Sequence, residues 1–182
     1  MDLMEKQLAS TPRFHGVIVD VRTDTVLLPD GRQAGREVVS HPGGVAILPL
    51  TDDDQVVLVR QFRYPVGQVL LEVPAGKLEP GEPHRPAALR ELEEEVGLIP
   101  EHLDYLGGLY VSPGISTEII HLYLATGLKP GRRHPDEDEF LNMDRLPLDT
   151  LLRMVLDGQV PDAKTAALVM KVKLLREREG MK

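Results

Sequence analysis

Apolar positions fall in short β-branched runs over the first half of the chain and return at helical spacing towards its end. The segment FHGVIVDVRTDTVLLPDGRQAGREVVSH, residues 14–41, is rich in Val and Ile, and its PDGR stretch (Pro29 to Arg32) carries turn chemistry. A short β-meander is therefore expected there. GGVAILPL and QVVLVRQF flank the polar tip Thr51 to Asp54, which predicts a hairpin, and QVLLEVPAG (Gln68 to Gly76) predicts a further strand ended by Pro74 and a glycine.

The spacing predicts a helix over PAALRELEEEV (Pro86 to Val96), with a proline in its first turn and Gly97 just past its end. Strands follow at LGGLYVS and IIHLYLATG, with a short apolar piece at FLNM (Phe140 to Met143). Helical periodicity returns in LDTLLRMVLDG and DAKTAALVMKVKLLRERE, separated by Gly158 and Pro161. No internal repeat of about 20–50 residues is present. Strands around a central helix, with helices closing the chain, predict α/β/α or α+β layers.

Composition narrows the function classes. A chain of 182 residues, 42% hydrophobic and 27% charged, suits one well-buried core. The net charge of -8 argues against general nucleic-acid or anionic-membrane binding, because the long-range field repels phosphate. An anionic substrate then needs a local positive device. With no Cys, disulfides and thiolate zinc sites are excluded. The start, MDLMEKQLASTPRFHG, has no apolar run of signal-sequence length, and no uncharged apolar run approaches the roughly 20 residues that span a bilayer. A cytoplasmic location is expected.

One stretch resists the simplest reading. In RELEEEVG (Arg90 to Gly97), Glu91, Glu94 and Glu95 fall within about 100° of helical arc, while Leu89, Leu92 and Val96 gather on another face. A solvated acidic face is the simplest explanation. Such faces usually mix signs, however, since like charges at i,i+4 weaken a helix by about 0.2–0.5 kcal/mol. No basic residue lies within this arc. A hard divalent cation among the oxygens turns the repulsion into binding.

The spacing around that helix is more specific. GKLEPGEPHRPAALRELEEEVGL fits G-x5-E-x7-R-E-U-x-E-E-x-G-U, with U a bulky aliphatic, from Gly76 through Glu82, Arg90, Glu91, Leu92, Glu94, Glu95 and Gly97 to Leu98. At residue frequencies of about 7%, seven fixed positions match by chance with odds well below about one in ten million at any one start. On these residues the chain resembles the Nudix hydrolases. That resemblance implies an α/β fold, an α/β/α sandwich with a mixed sheet, preceded by a small N-terminal antiparallel β-domain. It also implies Mg²⁺, with Mn²⁺ able to substitute, and cleavage of a nucleoside diphosphate linked to another moiety.

Carried over position by position, Glu91 and Glu95 are implied as principal metal ligands, Glu94 as ligand or base, and the carbonyl of Ala75 as a further ligand. Arg90 resembles the residue that orients a box carboxylate, Glu82 one that supports the metal shell through water. Gly76 and Gly97 allow backbone turns at the two ends. VSPGISTE (Val111 to Glu118) is similar to the proline-bearing segment of ADP-ribose pyrophosphatases, which marks Pro113 and Gly114 as substrate-contact positions; Ile115 departs, standing where an aromatic is frequent. REVVSHPGGVAILPL, VRQFRYPVG and LEVPAGKLEPGE extend the likeness over residues 14–142.

The same resemblance implies that an arginine just before the box touches the diphosphate; Arg63 is favoured and Arg60 is the alternative. Lys77 and Glu79 lie in the box loop. The base stays open among Glu94, Glu118, Glu137 and Glu139. His41 and His134, each beside a proline, read as loop residues, and Met154 and Met170 as core or interface. The expected organisation is an N-terminal β-strand region, residues 1–42, that pairs two protomers, then the Nudix hydrolase domain, 43–182, with its box at 76–98. The implied reaction splits ADP-ribose into AMP and ribose 5-phosphate in a homodimer. GDP-mannose or UDP-glucose as substrate, and a non-catalytic ADP-ribose-binding module, are the alternatives.

Overall fold

In the computed structural model, residues 2–135, 139–178 and 180 are described, and the chain divides into two units, Met1–Gly43 with Tyr110–Ile119, and Gly44–Leu109 with Ile120–Lys182. The first unit is the expected meander, an antiparallel sheet of β1 (Lys6–His15), β2 (Asp20–Leu27) and β3 (Gln33–Ser40) in that order. Its PDGR turn closes as predicted: Leu28 N–H donates to the Arg32 carbonyl at 2.8 Å, and Gly31 takes the left-handed region with φ 85°.

Two features of this unit differ from the prediction. The first strand begins at Lys6 rather than near residue 14, because all ten residues of β1 are exposed and backbone pairing holds it without any apolar face. The segment Tyr110–Ile119 also joins the sheet's unit: Val39 N–H donates to Ile115 O at 2.7 Å, and Thr117 N–H to Val39 O at 3.0 Å.

The second unit is an α/β/α sandwich. Its middle layer holds one sheet in the order β10 (Leu141–Pro147), β5 (Gln55–Arg63), β6 (Gln68–Glu72) and another in the order β7 (Ala75–Lys77), β4 (Gly44–Pro49), β9 (Ile119–Pro130), β8 (Leu98–Tyr110). Val45, Ile47, Val57 and Val59 pack with Ala87, Ala88, Leu92 and Val96 of helix α1 (His84–Val96). The intervening Ala46, Leu48, Val56 and Leu58 pack with Leu148 and Leu151 of α2 (Leu148–Leu156) and with Leu168, Val169 and Val172 of α3 (Ala163–Arg178). Each fully buried Val or Leu contributes about 1.5–3 kcal/mol, so both faces of the middle layer are well supported.

The predicted hairpin exists only at its tip. Thr51 N–H donates to Gln55 O at 2.9 Å and Leu50 bridges Val56, but β4 pairs with β7 and β9 while β5 pairs with β10 and β6. The reason is burial on both faces: each strand is central, and its two edges are taken by other partners. The strand expected to run to Gly76 is broken at Pro74 into β6 and β7, whose Ala75, Gly76 and Lys77 pair with Ala46, Val45 and Gly44. Strand β8 starts directly after Gly97, eight residues earlier than the apolar pattern suggested, because its first half, LIPEHL, is interrupted by Pro100, Glu101 and His102 and only Leu103 in it is buried. No helix among the described residues is long and apolar enough to cross a membrane.

Candidate active site

Helix α1 starts after Pro83, whose ring presets the extended approach, and stops at Gly97, which takes φ 65° and donates to Glu93 O at 2.8 Å. Its inner face carries Leu92 and Val96 into the core. At the margin of that face stand two carboxylates one turn apart, Glu91, 7% exposed, and Glu95, 1% exposed. Neither is abandoned. Glu95 Oε2 accepts the Ala75 N–H at 3.0 Å, and Glu91 Oε1 accepts Arg90 Nη1 at 2.8 Å.

Gly76 explains how Glu91 fits. A Cβ on Gly76 would lie 1.9 Å from Glu91 Cδ and 2.0 Å from its Oε1, so the carboxylate rests directly on the backbone of β7. Arg90 ties the preceding loop to the same helix edge. Its Nε and Nη2 grip Glu82 at 3.1 and 3.0 Å, its Nη1 also reaches Glu94 Oε2 at 2.9 Å, and Nη2 donates to the Lys77 carbonyl at 3.3 Å. The bidentate contact is therefore with Glu82, with single bonds to Glu91 and Glu94. Glu82 in turn accepts the Glu79 N–H at 3.0 Å.

The electrostatics leave these carboxylates short of positive charge. Burial pushes Glu91 up to about 7 despite Arg90, and the neighbouring Glu94 and Glu139 add repulsion. Burial pushes Glu95 up to about 8, opposed by the Ala75 N–H and reinforced by Glu139 and Glu91. Glu139 thus acts on both box carboxylates. Glu137 lies outside the described residues. The donors are all oxygen, desolvated and in excess negative charge, which fits a hard dication. As the side chains stand, no three acidic or histidine groups among the described residues converge on one point, since Arg90 shares the oxygens of Glu91 and Glu94.

The other predicted residues fall in several places. Arg63 spends its fork on Glu72, with Nε and Nη2 each 2.8 Å from a carboxylate oxygen, and it also feels the charge of Glu95. Arg60 pairs across the strands with Asp144, Nε 3.0 Å from Oδ2. Lys77 and Glu79 are exposed. Pro113 and Gly114 are exposed in the loop of the first unit, where the Glu118 carboxylate lies 3.6 Å from His41 Nδ1. His134, read as a loop residue, uses its N–H to cap the Glu94 carbonyl at 3.0 Å.

Glu72 was missed by sequence reasoning, although an acid inside the apolar run VLLEV was its signal. Fully buried, it is held by Arg63 and by Lys164, whose ammonium also meets Asp162 at 2.8 Å. Asp162 caps α3 by accepting Thr165 N–H at 2.9 Å, and Thr165 Oγ1 accepts the Val73 N–H at 2.9 Å. Burial alone would raise the Glu72 pKa, but Arg63 and Lys164 outweigh it and hold it below the ordinary value. Its stabilisation is therefore present above the ordinary carboxylate pKa of about 4.3 and is lost as pH falls through the lower folded value. Glu72→Gln is expected to cost about 3 kcal/mol in urea unfolding at neutral pH, with the gap from wild type closing below about pH 4.

Comparison with known proteins identifies the family. The NUDIX domain family matches residues 40–168. The ADP-ribose pyrophosphatase of Bacillus subtilis (strain 168) is 40% identical over 182 residues, covering 99% of this chain and 98% of that protein. The methanol dehydrogenase activator of Bacillus methanolicus is 42% identical over 180 residues, covering 98% and 96%. A GDP-mannose pyrophosphatase of Yersinia pestis (strain Pestoides F) is 32% identical over 173 residues, covering 86% and 82%. Among solved structures, an ADP compounds hydrolase superposes with a TM-score of 0.87 at 23% identity, covering 100% of both chains, a likeness of fold. With a complete box set on the margin of its central helix and a family match over residues 40–168, the chain belongs to the Nudix hydrolases.

Proposed function

We propose that this enzyme hydrolyses the pyrophosphate bond of ADP-ribose to AMP and ribose 5-phosphate, using Mg²⁺ or, in its place, Mn²⁺. The observation that carries this reading is the desolvated pair Glu91 and Glu95, seated against the Ala75–Gly76 backbone. Glu91, Glu95 and the Ala75 carbonyl would hold the ion, with Glu94 as a further ligand or as base. When bound, the dication neutralises the diphosphate and lowers the pKa of water for attack on phosphorus. Arg90 keeps the carboxylates in register, and Glu94, Glu118, Glu137 and Glu139 are the groups from which the proton acceptor is drawn. Arg63, Arg60, Pro113 and Gly114 are assigned to the substrate, Arg63 by exchanging part of its grip on Glu72 for a phosphate oxygen.

Likeness to the ADP-ribose pyrophosphatase of B. subtilis along almost the whole chain supports this substrate. The likeness to a GDP-mannose pyrophosphatase favours, as a second reading, another nucleoside diphosphate sugar. A phosphatase-coupled phosphate-release assay with Mg²⁺ separates them: ADP-ribose should turn over fastest among ADP-ribose, GDP-mannose and UDP-glucose. Faster GDP-mannose turnover would select the second reading, and binding of ADP-ribose without turnover would make the protein a recognition module.

The N-terminal strands, residues 1–42, are proposed to pair two cytoplasmic protomers. Strand β1 supports this, being an edge strand with all ten residues exposed. Light scattering is expected to give about twice the 20.2 kDa chain mass. A monomer with full activity would contradict it.

A further inference from the structure

The last turn of α1 leaves carbonyls that need donors, and one short segment between β9 and β10 supplies them. Gly131 N–H donates to Gly97 O at 2.8 Å and His134 N–H to Glu94 O at 3.0 Å. The Arg133 side chain does more. Its Nε donates to the Glu95 carbonyl at 2.7 Å and its Nη2 to the Leu141 carbonyl at 2.8 Å. Leu141 opens β10, and Glu139 stands two residues before it. The packing here is tight: a Cβ on Gly97 would lie 3.0 Å from Arg133 N and 3.1 Å from its Cβ. Gly97 of the box therefore serves a second purpose beyond its positive φ, as the surface on which Arg133 is laid.

The geometry points to Arg133 as a positioning residue that bolts the start of β10, and with it Glu139, to the turn of α1 carrying Glu94 and Glu95. A planar guanidinium suits the task because its fixed fork serves two carbonyls at once, which an ammonium cannot reproduce. Glu139 lies near enough to Glu91 and Glu95 for its charge to repel both. Without Arg133, the α1 carbonyl and β10 lose their common tether; Arg63, the favoured phosphate contact, keeps its own grip on Glu72, while Arg60, the alternative, lies opposite Asn142 and is bonded to Asp144 on β10. The consequence falls on turnover rather than on substrate affinity, because a displacement of about 1 Å in a reacting group costs up to about a hundredfold.

This inference rests on the proposed hydrolase reading, and a double-mutant cycle separates the two. Steady-state kinetics with ADP-ribose and Mg²⁺ would compare wild type, Arg133→Ala, Arg133→Lys, Glu139→Gln and the Arg133→Ala/Glu139→Gln pair. Arg133→Ala is expected to lower kcat by about ten- to a hundredfold with KM within about twofold, and Arg133→Lys to recover part of the loss. Glu139→Gln should cost wild type about a hundredfold, but less than about threefold once Arg133 is gone. An equal cost in both backgrounds, or no cost in wild type, overturns the inference while leaving the hydrolase reading intact. Absence of turnover in wild type overturns the hydrolase reading itself. If Arg133→Ala does not fold, Arg133→Lys carries the same cycle; should that variant also melt below the assay temperature, Arg133 is a stability element and the inference falls.

Discussion

Glu95→Gln is expected to lower kcat by roughly a thousandfold, about 4 kcal/mol of transition-state stabilisation, while the protein stays folded. Glu91→Gln should behave alike. The amide is nearly isosteric with the carboxylate, and its oxygen can still accept the Ala75 N–H that Glu95 accepts at 3.0 Å. Replacing the acid also removes the cost of holding, at 1% exposure and without a cation beside it, a carboxyl that burial pushes up to about 8. The metal-free Gln variants are therefore expected to melt no lower than wild type, and Mg²⁺ is expected to raise the melting temperature of wild type but not of the variants. Thermal melts with and without Mg²⁺, run beside the kinetics, check both halves. Near-normal turnover in both variants at saturating Mg²⁺ would remove the ligand assignment.

Gly76→Ala is expected to produce a loss of comparable kind from a single methyl group. Gly76 is not in the left-handed region, so the effect is one of space: the new Cβ would sit 1.9 Å from Glu91 Cδ. Either β7 shifts away from β4, to which Gly76 is paired through Val45, or Glu91 leaves its place. Overpacking of this sort costs about 1–3 kcal/mol of stability, and a displaced ligand about a hundredfold in kcat. Gly35→Ala is the matched control. Its Cβ would meet nothing within 4 Å and its φ is not positive, so activity and melting temperature should stay at wild-type values.

The box was legible because its chemistry is written in spacing. Glu91, Glu94 and Glu95 share a helical face at fixed offsets, and Arg90 sits one residue from the first of them. The reason for Gly76 was not legible. Its sequence role looked like a turn, whereas its structural role is to let a carboxylate lie on the backbone. Contacts distant along the chain were hidden in the same way: Lys164 meets Glu72 across 92 residues, and Arg133 reaches Glu95 across 38. Strand β1 escaped because nothing in it alternates; its pairing with β2 alone makes it a strand. The β4–β5 hairpin misled because a polar tip reports the turn and not the sheet each strand then enters. Two strands buried on both faces must each find neighbours elsewhere.

The proposed hydrolysis requires a dication that resides among the box carboxylates and there meets the diphosphate. Anomalous diffraction from crystals grown with Mn²⁺ and a non-hydrolysable ADP-ribose analogue tests it most directly. A manganese peak bonded to carboxylate oxygens of Glu91 and Glu95, at about 2.0–2.3 Å and touching a phosphate oxygen, is the predicted result. A peak at any other place, with Glu91 and Glu95 left without an ion while the analogue is bound, would contradict the account.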